Sequence, residues 1–178
     1  MIIDDFLKQL QSLAPNPVAL EKSGFTSGFI AKIIKAYNLE RKREQNVDFT
    51  KQGNPIIELV NQYDAHLIKF GDYSFNSIIE AENSCKVFCT GSSTSLGIVD
   101  DTGSVIEFSF DDYTVLQYCA SDSSAFLQAL LIYLELKSLR LQNIIDPKDN
   151  QKNQEFLDKC VAAAGGIGYF NFYKSLIF

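Results

Sequence analysis

Strand-like segments follow one another so closely between residues 66 and 119 that the chain has no room for helical crossovers. Parallel neighbours need a crossover of a dozen or more residues, whereas antiparallel neighbours need only a tight turn. We therefore expect a largely antiparallel sheet of five or six strands. The candidate strands are residues 66–70, the segment from Tyr73 to Ile79, and residues 86–90, 96–99, 105–110 and 113–119.

A hairpin at residues 97–108 is the most clearly defined of these elements. Its loop contains Asp101-Thr102-Gly103, residue types that tolerate the backbone angles of a tight turn. Gly71-Asp72 is a second turn signal, and it ends the strand predicted at residues 66–70.

Helical patterns lie on both sides of the sheet region. The apolar spacing predicts three helices before it, at residues 4–13, 26–37 and 56–63, with Pro15 and Pro17 ending the first. After it, Ser121-Asp122-Ser123-Ser124 caps a long helix that reaches Leu141 and should pack on the sheet. Four leucines of that helix are expected to be buried: Leu127, Leu130, Leu131 and Leu134.

The C-terminal part is predicted to contain a polar linker at residues 146–153, a short helix at 155–164 and an aromatic tail at 169–178. The expected fold is therefore α+β, with helices before an antiparallel five- to six-stranded sheet and a long helix packed on it. We expect one domain, residues 1–178, with its core at 54–141, N-terminal helices within 1–53 and a C-terminal helix and tail at 146–178.

Charge is distributed unevenly along the chain. The formal net charge is −6, from 16 basic and 22 acidic residues, which argues against general binding to nucleic acid because phosphate backbones require a basic face. No basic residue stands between Lys86 and Lys137, an interval with seven carboxylates. Such a field can steer a basic protein to this surface, and it can equally serve solubility and keep strand edges unpaired.

Residues for catalysis or metal binding are sparse. His66 is the one histidine and has no nucleophile motif to serve, so a structural role is expected. Gly165-Gly166-Ile167-Gly168 follows a helix and is interpreted as its C-cap, not as a phosphate loop. The sequence therefore predicts neither catalysis, nor a metal, nor a cofactor. Four cysteines are expected to be reduced and buried: Cys85, Cys89, Cys119 and Cys160.

The expected location is the cytoplasm. No stretch of the sequence approaches the ~20 apolar residues of a membrane span. The first residues are acidic where a signal peptide would be basic.

Several short segments, taken in order, resemble the SUKH superfamily, which includes bacterial immunity proteins. In that family a strand ending in glycine precedes an Asp-x-x-Gly-x-Val hairpin, and a cap of small residues then opens a Phe-Leu-x-x-Leu helix. The resemblance extends from residue 54 to residue 141, about half of the chain. It rests on IIELVNQYD at 56–64, IKFG at 68–71, FCTG at 88–91, DDTGSV at 100–105 and FLQAL at 126–130.

The resemblance implies a cytoplasmic, non-enzymatic module that binds and neutralises a bacterial toxin, often a nuclease or a deaminase. Such toxins are commonly basic because they bind polyanions, so an acidic inhibitor would match them in charge. The predicted partner is thus a cognate basic toxin, with no direct contact to nucleic acid or membrane. The residues expected to form or border the capture surface are Asp100, Asp101, Glu107, Asp111, Asp112 and Tyr113.

Two other classes of function remain open on the sequence. The first is a protein-interaction or regulatory module of the same fold without a toxin partner. The second is a small enzyme or ligand-binding protein, which a buried polar pocket around His66 would favour.

Overall fold

The helices before the sheet begin at capping residues. The computed structural model describes residues 1–42, 53–82 and 84–178. The second predicted helix ends in a mixed-charge run at residues 40–44, and the last two residues of that run, Arg43 and Glu44, lie outside the described residues. The helices are α1 (Ile3–Ser12), α2 (Pro17–Lys22), α3 (Ser27–Tyr37) and α4 (Pro55–Gln62).

Pro17 begins a helix that the sequence analysis did not predict. The Asn16 side chain accepts hydrogen bonds from the backbone N–H groups of Val18 and Ala19, and Pro17 occupies the first position of α2. Proline is well suited there, because its fixed φ fits a helix and its missing N–H would have no intrahelical partner. Asn54 and Pro55 repeat this arrangement at α4, which confirms the predicted start of that helix.

The six strands form one antiparallel sheet in which each strand pairs with the next along the chain. This order confirms the predicted meander. The strand predicted at 66–70 is wrong in its first half, because Ala65–Leu67 forms a 3-10 helix. The strands are β1 (Lys69–Phe70), β2 (Tyr73–Glu82), β3 (Cys85–Thr90), β4 (Thr94–Val99), β5 (Val105–Ser109) and β6 (Val115–Ala120).

The long helix α5 (Ser123–Leu141) packs on the sheet, as predicted. The Asp122 carboxylate caps it by accepting the backbone N–H of Ala125 at 2.9 Å. The four leucines expected to be buried have at most 5% of their surface exposed.

The C-terminal region is more helical than the sequence suggested. The predicted linker ends early, because Asp149 caps a helix α6 that spans Asn150–Ala164. Gly165 follows with φ +115°, which confirms the predicted glycine C-cap. The aromatic tail forms helix α7 (Phe170–Ile177), with Phe172 and Tyr173 buried.

One hydrophobic core contains residues from α1 and from α3 to α7. Phe6, Ile56, Phe88, Leu127 and Phe172 belong to it, and each is at most 1% exposed. The helices at both ends of the chain therefore share their core with the sheet. A second, smaller cluster lies on the other face of the sheet and consists of Val87, Ile106 and Phe108.

Candidate protein-binding surface

β6 is an edge strand that presents large apolar side chains to solvent. Within the described residues it pairs with β5 alone, because it is the last strand of the sheet. Five apolar side chains on this strand and the preceding turn are between 41% and 59% exposed: Phe110, Tyr113, Val115, Leu116 and Tyr118. Exposed apolar residues scattered singly are ordinary, whereas a contiguous group at a sheet edge is typical of an interaction site.

The register of β6 explains why these side chains are exposed. Val115 lies opposite Phe108 and Tyr118 opposite Ile106, so both project from the face that carries the small second cluster. Leu116 is an extra residue between two paired positions and forms a β-bulge. β6 thus extends the second cluster towards solvent.

The turn between β5 and β6 brings acidic groups to this apolar set. The Asp112 carboxylate accepts the backbone N–H of Thr114 at 3.1 Å. Hydrogen bonds from Thr114 and from the Ser109 hydroxyl lower the pKa of Asp112, which therefore keeps its negative charge. Asp111 precedes it, and both side chains are exposed.

Tyr113 links this turn to the second cluster. Its ring stacks on Phe108 with centroids 6.0 Å apart, and its backbone has φ +57°, unusual for a residue other than glycine. The nearby Glu82 carboxylate and partial burial raise the pKa of Tyr113. The turn is therefore fixed by packing at its centre while its rim stays in solvent.

The predicted acidic residues do not form one continuous patch. Asp100 and Asp101 precede β5, whereas Asp111 and Asp112 follow it, so the two pairs lie at opposite ends of a five-residue strand. At about 3.4 Å a residue, that strand separates them by roughly 15–20 Å. Asp100 also forms an ion pair with Lys86, which reduces the negative field at its end.

Glu107 lies on the helix-facing side of β5. It is 8% exposed, and its carboxylate accepts hydrogen bonds from the Tyr73 hydroxyl at 2.6 Å and from the Gln117 amide. A carboxylate held in this way is not available at the surface. We therefore leave Glu107 out of the candidate surface, although the sequence analysis included it.

We call the exposed set at this edge the β6 surface. Its centre is apolar and its rim is polar, which is the usual arrangement of a protein interface, and the charges at this rim are negative. Asp111, Asp112 and Tyr113 were predicted from the sequence; the other members were read only as strand residues, because nothing local marks a strand as an edge. The β6 surface consists of Phe110, Asp111, Asp112, Tyr113, Val115, Leu116 and Tyr118.

The remaining candidate residues do not assemble into a catalytic or metal-binding group. Over residues 1–42, 53–82 and 84–178 there is no cluster of three or more potential metal ligands. His66 is exposed, on the 3-10 helix before β1. Cys89, Cys119 and Cys160 are buried, as predicted, and burial raises the pKa of Cys160 to about 12. Cys85 is only partly buried.

Comparison of the chain with protein-family models, with curated proteins and with solved structures finds no match. In the part of the chain that the structure describes, no helix has both the length and the apolar character needed to cross a membrane.

Proposed function

We propose that this chain is a non-catalytic immunity protein of the SUKH type, which captures a basic bacterial toxin in the cytoplasm through its β6 surface. The observation that carries the proposal is the group of exposed apolar side chains on an edge strand, beside the two exposed aspartates Asp111 and Asp112. The order of helices, antiparallel meander and long helix agrees with the arrangement that the sequence resemblance implies, and so supports it.

The chemistry of the surface suits a protein partner. Tyr113 and Tyr118 are exposed aromatic side chains with polar tips. Tyrosine is among the residue types enriched at the positions that dominate binding energy. Leu116 and Val115 add apolar area at the centre. Within the described residues, Val115 to Tyr118 pair with β5 alone, which leaves their exposed side chains open to contact with a partner.

Asp111 and Asp112 are the reason for proposing a positively charged partner. Charges at the rim of an interface act mainly on the association rate, by steering an oppositely charged protein into the correct orientation. A toxin that binds nucleic acid carries positive charge for that purpose, and the same charge would favour this acidic rim.

A regulatory module that binds another protein is the second candidate, because the β6 surface fits both functions. The two differ in the identity of the partner. If the protein encoded next to this chain is toxic, and this chain suppresses that toxicity, the first function holds.

The test is co-expression with the neighbouring gene product, followed by affinity capture. Leu116→Arg should abolish capture and protection while leaving the melting temperature within a few degrees of the parent, because residue 116 is half exposed. Ile144→Arg is the matched control, since Ile144 is 63% exposed and lies outside the β6 surface. Full capture and protection by the Leu116→Arg variant would contradict the proposed surface.

A further inference from the structure

A cavity of about 540 Å³ lies between α3, the C-terminal half of α5 and the segment from His66 to Lys69. Its walls are largely apolar, and its size falls within the range of about 300–1,000 Å³ usual for small-molecule sites. The wall includes Leu10, Phe29, Ile33, Ala36, Leu134 and Leu141.

The polar groups at this cavity are almost all basic. Among the described residues, four lysines and His66 line it, and no carboxylate does. The chain as a whole has a formal charge of −6, so this basic site stands out against its surroundings. The lysines are Lys32, Lys35, Lys69 and Lys137.

Lys137 is the member of this group held inside the wall. Its ammonium donates a hydrogen bond to the backbone carbonyl of Lys69 at 2.7 Å. Burial, together with the nearby charge of Lys69, lowers the pKa of Lys137. Within the described residues, neither lysine has a carboxylate within ion-pair distance. Lys137 is only partly buried, but a partly desolvated cation without a counter-charge is still unfavourable, and a bound anion would relieve that cost.

The cavity is fixed from one side by a buried hydrogen bond. The Tyr37 hydroxyl of α3 donates to the Leu134 carbonyl of α5 at 3.0 Å. Phe29 stands on α3 and is 48% exposed, with its ring stacked on Phe25. Three of the lining lysines, Lys32, Lys35 and Lys69, are exposed, so the cavity opens to solvent beside them. A ligand can therefore enter chain first and leave its head group at this basic rim.

We propose that this cavity binds an amphiphilic carboxylate of the fatty-acid type. The aliphatic chain lies against the apolar wall, and the carboxylate pairs with Lys137 and with the lysines at the rim. The choice of an anionic head group rests on charge complementarity. Of the described residues in the wall, every one with an ionisable side chain, apart from Tyr37, is a lysine or the histidine. This site is separate from the β6 surface and does not depend on the proposed function.

The experiment is isothermal titration calorimetry of the full chain with decanoate, with decanol and with decyltrimethylammonium. The two ionic probes are used below their micelle concentrations and decanol below its solubility limit. The three probes share one chain length and differ in the charge of the head group. Decanoate should bind with one-to-one stoichiometry, decanol at least tenfold more weakly, and the cation without measurable affinity. Equal binding of the three probes, or no binding of decanoate, would overturn the proposal.

Variants test whether decanoate binds in this cavity. Lys137→Met keeps the aliphatic stem and should weaken decanoate binding by about tenfold or more, because a charge-assisted hydrogen bond is lost. Lys148→Met, on an exposed lysine outside the cavity, should leave the affinity unchanged. Equal weakening by both variants would mean non-specific attraction and would count against the site.

Ala36→Phe offers a second approach, since it fills the cavity from α3 without removing a charge. Thermal melting confirms that the variant is folded, and decanoate binding should be lost. Analytical ultracentrifugation of the parent measures its oligomeric state and so tests whether a second copy of this chain occupies the cavity instead. A dimer that Ala36→Phe dissociates, with no decanoate bound to either form, would assign the cavity to self-association and refute the proposal.

Discussion

The Tyr73 hydroxyl donates a hydrogen bond of 2.6 Å to the buried Glu107 carboxylate, although two strands separate β2 from β5 in the sheet. In a flat sheet these strands would lie about 14 Å apart, so the sheet must curl for the two side chains to meet. The Tyr73 ring lies against Gly91, where a Cβ atom would come within 3.0 Å of it. Gly91 thus leaves the space that Tyr73 uses to reach Glu107.

This relationship gives a first prediction, for stability. Tyr73→Phe should lower the free energy of unfolding by about 1–3 kcal/mol, because a buried carboxylate loses a hydrogen-bond donor. Urea unfolding of Tyr73→Phe, Glu107→Gln and the double variant would measure the coupling between the two residues. Asp101→Asn is the control and should change stability by no more than about 0.5 kcal/mol. If the two substitutions change the free energy of unfolding by strictly additive amounts, the hydrogen bond between Tyr73 and Glu107 contributes no coupling energy.

The second prediction concerns the packing of α5 on the sheet. Leu127 is fully buried, so Leu127→Ala should cost about 2–5 kcal/mol in unfolding free energy, through lost burial and the cavity left behind. Ile144→Ala removes an exposed side chain of similar size and serves as the control. A loss below about 1 kcal/mol at Leu127 would contradict the packing described for this helix.

The third prediction is for Gly165, at the end of α6. Its φ of +115° is strained for any residue with a Cβ atom, and an added Cβ would lie 2.9 Å from the Ser121 hydroxyl. Gly165→Ala should therefore destabilise the protein by about 1–3 kcal/mol in urea unfolding. Gly168→Ala, where the space around the added Cβ is open, should be close to neutral.

The fourth prediction is alkaline loss of stability. Burial raises the pKa values of Cys89 and Cys119 above their ordinary 9.0, and those of Tyr37 and Tyr73 above 10.0. The folded state holds these protons more tightly than the unfolded state. These groups therefore make their full contribution to the free energy of unfolding below about pH 9, and that contribution declines as the pH rises through 9 and 10. Urea unfolding between pH 7 and pH 11 tests this, and an unchanged midpoint would contradict it.

Thiol labelling at neutral pH provides an independent check of the same burial. The partly buried Cys85 should react first with a disulfide reagent, and the other three cysteines only when the protein unfolds. Cys85→Ser should remove the fast phase. Fast labelling of all four thiols would contradict the burial on which the alkaline prediction depends.

The fifth prediction separates the two acidic pairs and rests on the proposed function. Neutralising Asp111 and Asp112 to Asn should slow association with the toxin and reduce its salt dependence, because these carboxylates border the apolar centre. Asn at position 112 also preserves an acceptor for the Thr114 N–H. The same change at Asp100 and Asp101 should have a smaller effect, since that pair lies at the other end of β5 and Asp100 already binds Lys86.

The result would be read by surface plasmon resonance at two salt concentrations. If neither double variant changes the association rate, the acidic turns serve solubility and the partner binds elsewhere. A larger effect from the Asp100 and Asp101 pair would move the capture surface to the β4–β5 hairpin.

Much of the fold could be predicted because its signals are local. The Asp-Thr-Gly turn, the short spacing between strands and the Asp122 cap each act within a few residues, and they determine an antiparallel meander followed by a long helix. Pro17 was misjudged because a proline that follows a helix is equally suited to begin the next one, and the Asn16 cap decides between the two. The burial of α7 depends on contacts with distant parts of the chain, which a local pattern does not report.

The candidate surface was only partly predictable, for a related physical reason. Acidic residues in turns are visible in the sequence, but the side of the sheet that each strand residue faces depends on register. Glu107 alternates with the apolar Ile106 and Phe108, and the structure alone shows that the alternation turns its carboxylate inward. The exposure of Leu116 depends on a bulge, which one sequence does not reveal.

The bulges of β6 also affect how this protein behaves before it meets a partner. An exposed, apolar edge strand is a template for aggregation, and this one carries no lysine or proline among its residues. Leu116 and Cys119 each insert an extra residue, which increases the local twist and interrupts the even row of backbone groups that another strand would need. The same irregularity that exposes Leu116 to a specific partner therefore opposes the growth of fibrils from identical chains.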